Sequence, residues 1–150
     1  MPLDPAYVGH VYPRSEVYEV GRAKIREFAE SIGDDHPMYR DVAAAQAAGH
    51  PDVVAPPTFA TILFGRYAME DIVNDEKLGV DYERLVHGDM KFAYERPVYA
   101  GDRLTVTTHI AEIDTRMGND FLTLRSEIDT EAGDRVVTAL SQLVIRAEEA

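Results

Sequence analysis

The chain contains no cysteine. This excludes a disulfide framework, a thiolate metal site and a cysteine nucleophile. It is short of positive charge, with 15 Lys and Arg against 27 Asp and Glu for a formal net charge of −12. Neither phosphate neutralisation nor a polybasic membrane patch is available, so nucleic acid and anionic membranes are excluded as partners. No apolar run approaches the length of a membrane span, and Met1-Pro2-Leu3-Asp4-Pro5 lacks the basic start and apolar centre of a signal peptide. The expectation is a cytoplasmic protein. There is no G-x-S-x-G elbow, no P-loop and no G-x-G-x-x-G, which removes serine-hydrolase, nucleotide and dinucleotide chemistry. The His and Asp residues are scattered without paired ligand spacing, so neither a metal nor a cofactor is expected.

What is present fits one domain over residues 1–150, a length sufficient to bury a core. Glu16 to Val20 alternate weakly, as a first strand would. From Gly21 the apolar period changes to that of a helix face, with Ile25, Phe28, Ala29 and Ile32 on one side and Arg22, Lys24, Arg26, Glu27 and Glu30 on the other. Gly33 stops this helix as a C-terminal cap. A polar turn, Asp34 to Pro37, leads to a short alanine-rich helix from Asp41, its N-cap, to Ala48, with Gly49 as its stop.

Pro56 and Pro57 suit the first turn of the next helix, where backbone N–H groups lack partners anyway. Thr58 to Met69 is apolar almost all round, the pattern of a central buried helix, and the charged stretch Glu70 to Tyr82 reads as a loop or ragged helical turn. From Arg84 the pattern is strand-like. Leu104, Val106, Thr108 and Ile110 alternate with Thr105, Thr107 and His109; Leu122, Leu124, Ser126 and Ile128 form a second alternating set; Val136 to Ile145 is a more continuous apolar strand suited to a sheet centre or a covered sheet. Turn signals at Met117-Gly118-Asn119 and Glu131-Ala132-Gly133-Asp134 join them into an antiparallel meander. An antiparallel sheet wrapped around one helix is an α+β fold of the hotdog type. Such a sheet leaves an edge uncovered, so a homodimer or heterodimer is expected. Ala147 to Ala150 reads as a frayed tail.

The segment Phe28 to Phe59 carries a resemblance. Gly33, Asp34, Pro37, Asp41, Ala45 and Gly49 fall in register with the pattern G-D-x-N-P-x-H-x-D-x-x-x-A-x-x-x-G of the MaoC-like (R)-specific enoyl-thioester hydratases and dehydratases. Ala55 and Pro56 stand where the pattern's second part begins, and Lys91 to Asp102 looks like the strand and turn that follow the central helix in hotdog thioester enzymes. The resemblance implies an acyl-CoA or acyl-ACP substrate and fatty-acid metabolism.

Two departures bear on activity. The family's histidine, five residues after the aspartate, is replaced by Tyr39, while His36 stands where the family has asparagine. The family's oxyanion-donating glycine is matched by Pro57, which has no N–H. Losing one such donor costs about two to three orders of magnitude in rate. The run Tyr18 to Ala29 (YEVGRAKIREFA) and the Asp34 turn with Tyr39 at the histidine position resemble the histidine-lacking subunits of heterodimeric (R)-3-hydroxyacyl-ACP dehydratases, in which the partner carries the aspartate and histidine, a division of labour that would permit both departures. The resemblance then implies a subunit that binds or stabilises the acyl chain, with little or no activity alone.

Two other functions stay open. One is a self-sufficient homodimeric enoyl-CoA hydratase or thioesterase using Asp34 with His36 or Tyr39; the other is an acyl-thioester-binding protein without chemistry. The catalytic candidates are thus Asp34, His36 and Tyr39, each with an ordinary reading beside it: a turn former, a solvated loop side chain and a packed aromatic. A phenol with a reference pKa of about 10 is a poor neutral-pH base, whereas an imidazole titrates near neutrality. Leu63, Phe64 and Tyr67 on the central helix, and His87 at the start of the strand after it, are the substrate-binding candidates, although core packing accounts equally well for the first three. His50 and His109 read as ordinary. For an acidic carrier protein, Arg22, Lys24, Arg26, Arg66 and Arg96 are the residues from which a local basic patch could form.

Overall fold

Where the apolar period changes at Gly21, the backbone changes from strand to helix. The computed structural model describes residues 2–148. A two-residue strand, β1 (Tyr18–Glu19), leads into α1 (Arg22–Ser31), and α2 (Val42–Ala47) follows. The central helix comprises α3 (Ala60–Leu63), a π-helical segment over Phe64–Ala68 and α4 (Met69–Asn74). Four long strands complete the chain: β2 (Leu85–Tyr94), β3 (Arg103–Arg116), β4 (Asn119–Thr130) and β5 (Arg135–Ile145). They form one antiparallel sheet in the order β1-β3-β4-β5-β2. This is the expected hotdog arrangement, with β3, β4 and β5 as the meander and β2 returning to pair with β5.

The sheet buries one face against the central helix. Ala60, Leu63 and Tyr67 pack with Leu104, Val106, Ile128, Val136 and Val137, together with Ile25 and Ala29 from α1. Further along the helix, Phe64, Ala68 and Ile72 pack with Ile110, Leu122, Leu124, Leu143 and Ile145. Residues of β4 alternate strictly, Leu122, Leu124, Ser126 and Ile128 being buried while their neighbours face outward.

Three expected boundaries move, each for a local reason. The first strand is two residues rather than Glu16 to Val20, because the Ser15 hydroxyl accepts the Val106 N–H at 2.8 Å and takes the place of a ladder carbonyl. The central helix starts at Ala60 rather than Thr58; Thr58 instead supplies the carbonyl that accepts both the N–H and the hydroxyl of Thr61. It then continues past Met69 to Asn74, since Ile72 extends the buried stripe and the exposed Glu70 lies on its solvent side. Asp75 ends the helix by accepting the N–H groups of Lys77 and Leu78.

The two sheet edges differ. The outer edge of β3 is covered by β1 and by the N-terminal segment, through Gly9 N–H to the Ile110 carbonyl, Ile110 N–H to the His10 carbonyl and Tyr12 N–H to the Thr108 carbonyl, each at 2.9 Å. The hydroxyls of Tyr12 and Tyr7, donating to Asp75 at 2.8 and 3.2 Å, tie that segment to the end of the central helix. The outer edge of β2 is bare among the described residues. The C-terminal stretch is not frayed as far as Glu148: Ala147 N–H donates to Asn119 Oδ1 at 2.9 Å and Glu148 reaches Arg84. Glu149 and Ala150, the rest of the expected tail, lie outside the described residues. No helix is long and apolar enough to cross a membrane.

Candidate functional site

The two glycine stops deliver the residues after them to fixed places. At the end of α1, Gly33 adopts a positive φ of 71°, its N–H donates to the Glu30 carbonyl and the Asp34 N–H donates back to the Ala29 carbonyl at 2.9 Å. This double closure is a Schellman motif, which caps a helix and sets the direction of the chain leaving it. The same closure ends α2: Gly49 (φ 92°) bonds to the Gln46 carbonyl and His50 to the Ala45 carbonyl at 3.0 Å. Asp34 and His50 occupy equivalent positions of two consecutive caps.

Between them, Pro37–Tyr39 forms a single 3₁₀ turn capped by His36, whose Nδ1 accepts the Met38 N–H at 3.2 Å. The turn swings Tyr39 inward to 5 % exposure. Next, Val54 N–H donates to the Met38 carbonyl, Ala55 N–H to the Val98 carbonyl and Ala100 N–H to the Val53 carbonyl, stitching residues 53–55 between this turn and the segment after β2. These walls border an open cavity of about 440 Å³ whose lining includes Tyr39, His50, Ala55, Pro57, Tyr94 and Arg96.

Of its polar groups, Arg96 and Tyr94 are committed, whereas the exposed Glu95 carboxylate has no hydrogen-bond or ion-pair partner among the described residues. Arg96 holds Asp102 through both terminal nitrogens, at 2.8 and 3.0 Å, and that hydrogen-bonded carboxylate pushes the guanidinium pKa further up. The Tyr94 hydroxyl donates to the Pro57 carbonyl, and burial pushes its pKa up to about 12. The Tyr39 phenol is also pushed up, first by burial and then by the charge of Asp34, which makes it a weaker acid still and no neutral-pH base. Its hydroxyl has no hydrogen-bond partner among the described residues. His50 Nδ1 lies 3.1 Å from the Tyr99 hydroxyl.

The sequence-derived candidates are therefore distributed unevenly. Tyr39 lines the cavity. Asp34 is half-buried nearby, close enough to act on Tyr39 electrostatically, and its Oδ1 accepts the His36 N–H at 3.2 Å. His36 is exposed, engaged as the turn's cap, and sits 5.9 Å from the Tyr39 ring without lining the cavity. Leu63, Phe64 and Tyr67 are buried in the packing between helix and sheet and are not part of the cavity wall. His87 stands on β2, its ring 5.8 Å from that of Phe64, away from the cavity lining. The set of five basic residues does not form a free patch: Arg22 pairs with Asp52, Arg66 with Glu16 and Arg96 with Asp102, leaving Lys24 and Arg26 without an ion pair among the described residues.

Sequence reasoning passed over Met38 and Val54 and read His50 as ordinary, whereas Ala55 and Pro57 were already marked by the motif. The available signal was the helix stop at Gly49, which fixes the backbone of the residue after it. No cluster of three His, Asp or Glu residues suited to a metal occurs among the described residues.

A family model described as the FAS1-like, dehydratase domain region matches residues 6–139. The chain belongs to this FAS1-like dehydratase family. Its fold is that of the MaoC-like hotdog dehydratases. A UPF0336 protein of Streptomyces griseus is 55 % identical over 149 residues, covering 99 % of each chain. One chain of the HadBC (3R-hydroxyacyl-ACP dehydratase) complex of Mycobacterium tuberculosis is 31 % identical with a TM-score of 0.83, over 92 % of this chain and 96 % of that one. A MaoC-like dehydratase is 32 % identical with a TM-score of 0.85; the match covers 95 % of this FAS1-like dehydratase domain and 43 % of that longer chain.

Proposed function

We propose that the chain is a subunit of an (R)-3-hydroxyacyl-thioester dehydratase or enoyl-thioester hydratase of fatty-acid metabolism, one that binds the acyl chain or stabilises a partner and has weak or no turnover alone. The observation that carries this reading is the cavity wall itself. The cavity lies beside the Asp34 turn, yet a phenol made less acidic by its surroundings stands at the motif's histidine position and a proline without an N–H stands at its oxyanion position. Such a cavity can hold an apolar acyl group while lacking the motif's own acid–base pair. Likeness to a chain of the HadBC dehydratase complex supports the assembly part of the proposal. So does the bare outer edge of β2, where the half-buried Met90, Phe92 and Tyr94 share the helix-facing side of the strand. A second hotdog subunit carrying a complete aspartate–histidine motif would add its sheet along that edge, at a homologous interface.

The test is hydration of a trans-2-enoyl thioester by the purified chain, followed by loss of enoyl absorbance, with Asp34→Asn as control. The expected result is no turnover by either protein, and turnover once a hotdog subunit with the complete motif is added. Turnover by the wild type that disappears in Asp34→Asn would overturn the division of labour. It would favour instead a self-sufficient enzyme built on Asp34 and Tyr39, the motif positions whose side chains interact electrostatically.

A further inference from the structure

The cavity has one imidazole in its wall, and that imidazole lies outside the motif. His50 is held at both ends. Its backbone N–H closes the cap of α2 on the Ala45 carbonyl, and its Nδ1 meets the Tyr99 hydroxyl at 3.1 Å. Tyr99 is itself fixed: its N–H donates to Asp102 Oδ2 at 2.8 Å, and the Arg96 guanidinium carbon stands 5.7 Å from its ring centre while gripping the same carboxylate. A half-buried ion pair thus positions a tyrosine, and the tyrosine orients a histidine.

The sense of the Tyr99–His50 bond decides what the histidine offers. A phenol is a stronger acid than the N–H of a neutral imidazole, and an unprotonated ring nitrogen is a good acceptor. These acidities favour the hydroxyl as donor to Nδ1, the arrangement that leaves the proton of a neutral ring on Nε2. Nε2 has no hydrogen-bond partner among the described residues. Pro57 cannot supply a donor, having no N–H and a carbonyl already taken by the Tyr94 hydroxyl, so the Tyr39 hydroxyl is the competing uncommitted donor in the wall. A largely apolar cavity with an uncommitted, oriented N–H suits a ligand that is apolar along its length and carries one carbonyl acceptor.

We infer that His50 Nε2–H is the donor that holds the carbonyl oxygen of an acyl thioester in this cavity, a task for which Pro57 is barred. This rests on reading the cavity as an acyl-thioester site. Tyr99 is the positioning residue, acting through His50.

The experiment compares hexanoyl-CoA with its thioether analogue, S-hexyl-CoA, by isothermal titration calorimetry on the purified chain. The two probes differ in the carbonyl oxygen and share the same hydrocarbon and carrier. The wild type is expected to bind the thioester about five- to tenfold tighter than the thioether, the change one ordinary hydrogen bond produces. His50→Leu is expected to bind both probes equally. His50→Gln, which keeps an N–H donor, restores part of the preference, and Tyr99→Phe reduces it. Thermal melts of each variant confirm that it is folded. Equal binding of both probes by the wild type, or a preference that survives in His50→Leu and disappears in Tyr39→Phe, overturns the role of His50 while leaving the cavity reading intact. Failure of the folded wild type to bind either probe overturns the cavity reading itself, and the inference with it.

Discussion

Asp102→Ala should loosen one wall of the cavity from a distance. The carboxylate is 15 % exposed and accepts three hydrogen bonds, two from Arg96 at 2.8 and 3.0 Å and one from the Tyr99 N–H at 2.8 Å. Removing it leaves the Tyr99 N–H without that partner, at about 1 kcal/mol, and dissolves a bidentate charge pair worth about 1–2 kcal/mol after allowing for solvent screening of the one-third-exposed Arg96. The sum, about 2–3 kcal/mol, corresponds to a fall in Tm of about 5–10 °C for a domain of this size. Asp102→Asn keeps an acceptor for Tyr99 while losing the charge, so its cost should be nearer 1 kcal/mol, about half or less of the alanine effect. Urea titration of the three proteins measures both differences. An alanine variant within about 0.5 kcal/mol of wild type, the range of an inconsequential surface substitution, would refute the claim that this carboxylate organises the segment.

Two further outcomes follow from buried polar groups. Burial alone would raise the Asp75 carboxyl, but hydrogen bonds from Tyr12, Leu78, Tyr7 and Lys77 outweigh it and hold the group below its ordinary value. A depressed carboxyl contributes stability that is present above its unfolded pKa of about 3.9 and is lost as pH falls through the folded value. Tyr12→Phe should therefore cost about 1 kcal/mol at pH 7, and the gap to wild type should narrow as the pH is lowered past the ordinary carboxyl value of about 3.9, as measured by urea titration across that range. The Ser126 hydroxyl is fully buried and has no hydrogen-bond partner among the described residues, so Ser126→Ala should leave stability unchanged or raise it by up to about 1 kcal/mol. A loss of more than about 1 kcal/mol in thermal or urea unfolding would contradict that assignment.

Local signals in the chain were enough to place both helix stops, at Gly33 and Gly49, and the Asp41 cap, because positive φ at glycine and side-chain capping act over three or four residues. The alternation of β3 and β4, the more continuous apolar run of β5 and the apolar run from Thr58 likewise announced a sheet wrapped on a buried helix, since periodicity reports which face is covered. Less legible were features set by a distant partner. The extension of the helix to Asn74 depends on the apolar surface that receives Ile72, and the shortness of β1 depends on the Ser15 hydroxyl meeting Val106. His50 looked ordinary beside the motif histidine position because its meaning depends on Tyr99, 49 residues away, and on the Asp102 carboxylate that fixes Tyr99. Sequence determined the turns, the caps, the sheet pattern and the absence of the motif's imidazole and N–H. Only the tertiary structure decided which side chains share the cavity, because residues 38, 50, 54 and 98 come together through hydrogen bonds between segments that no local period connects.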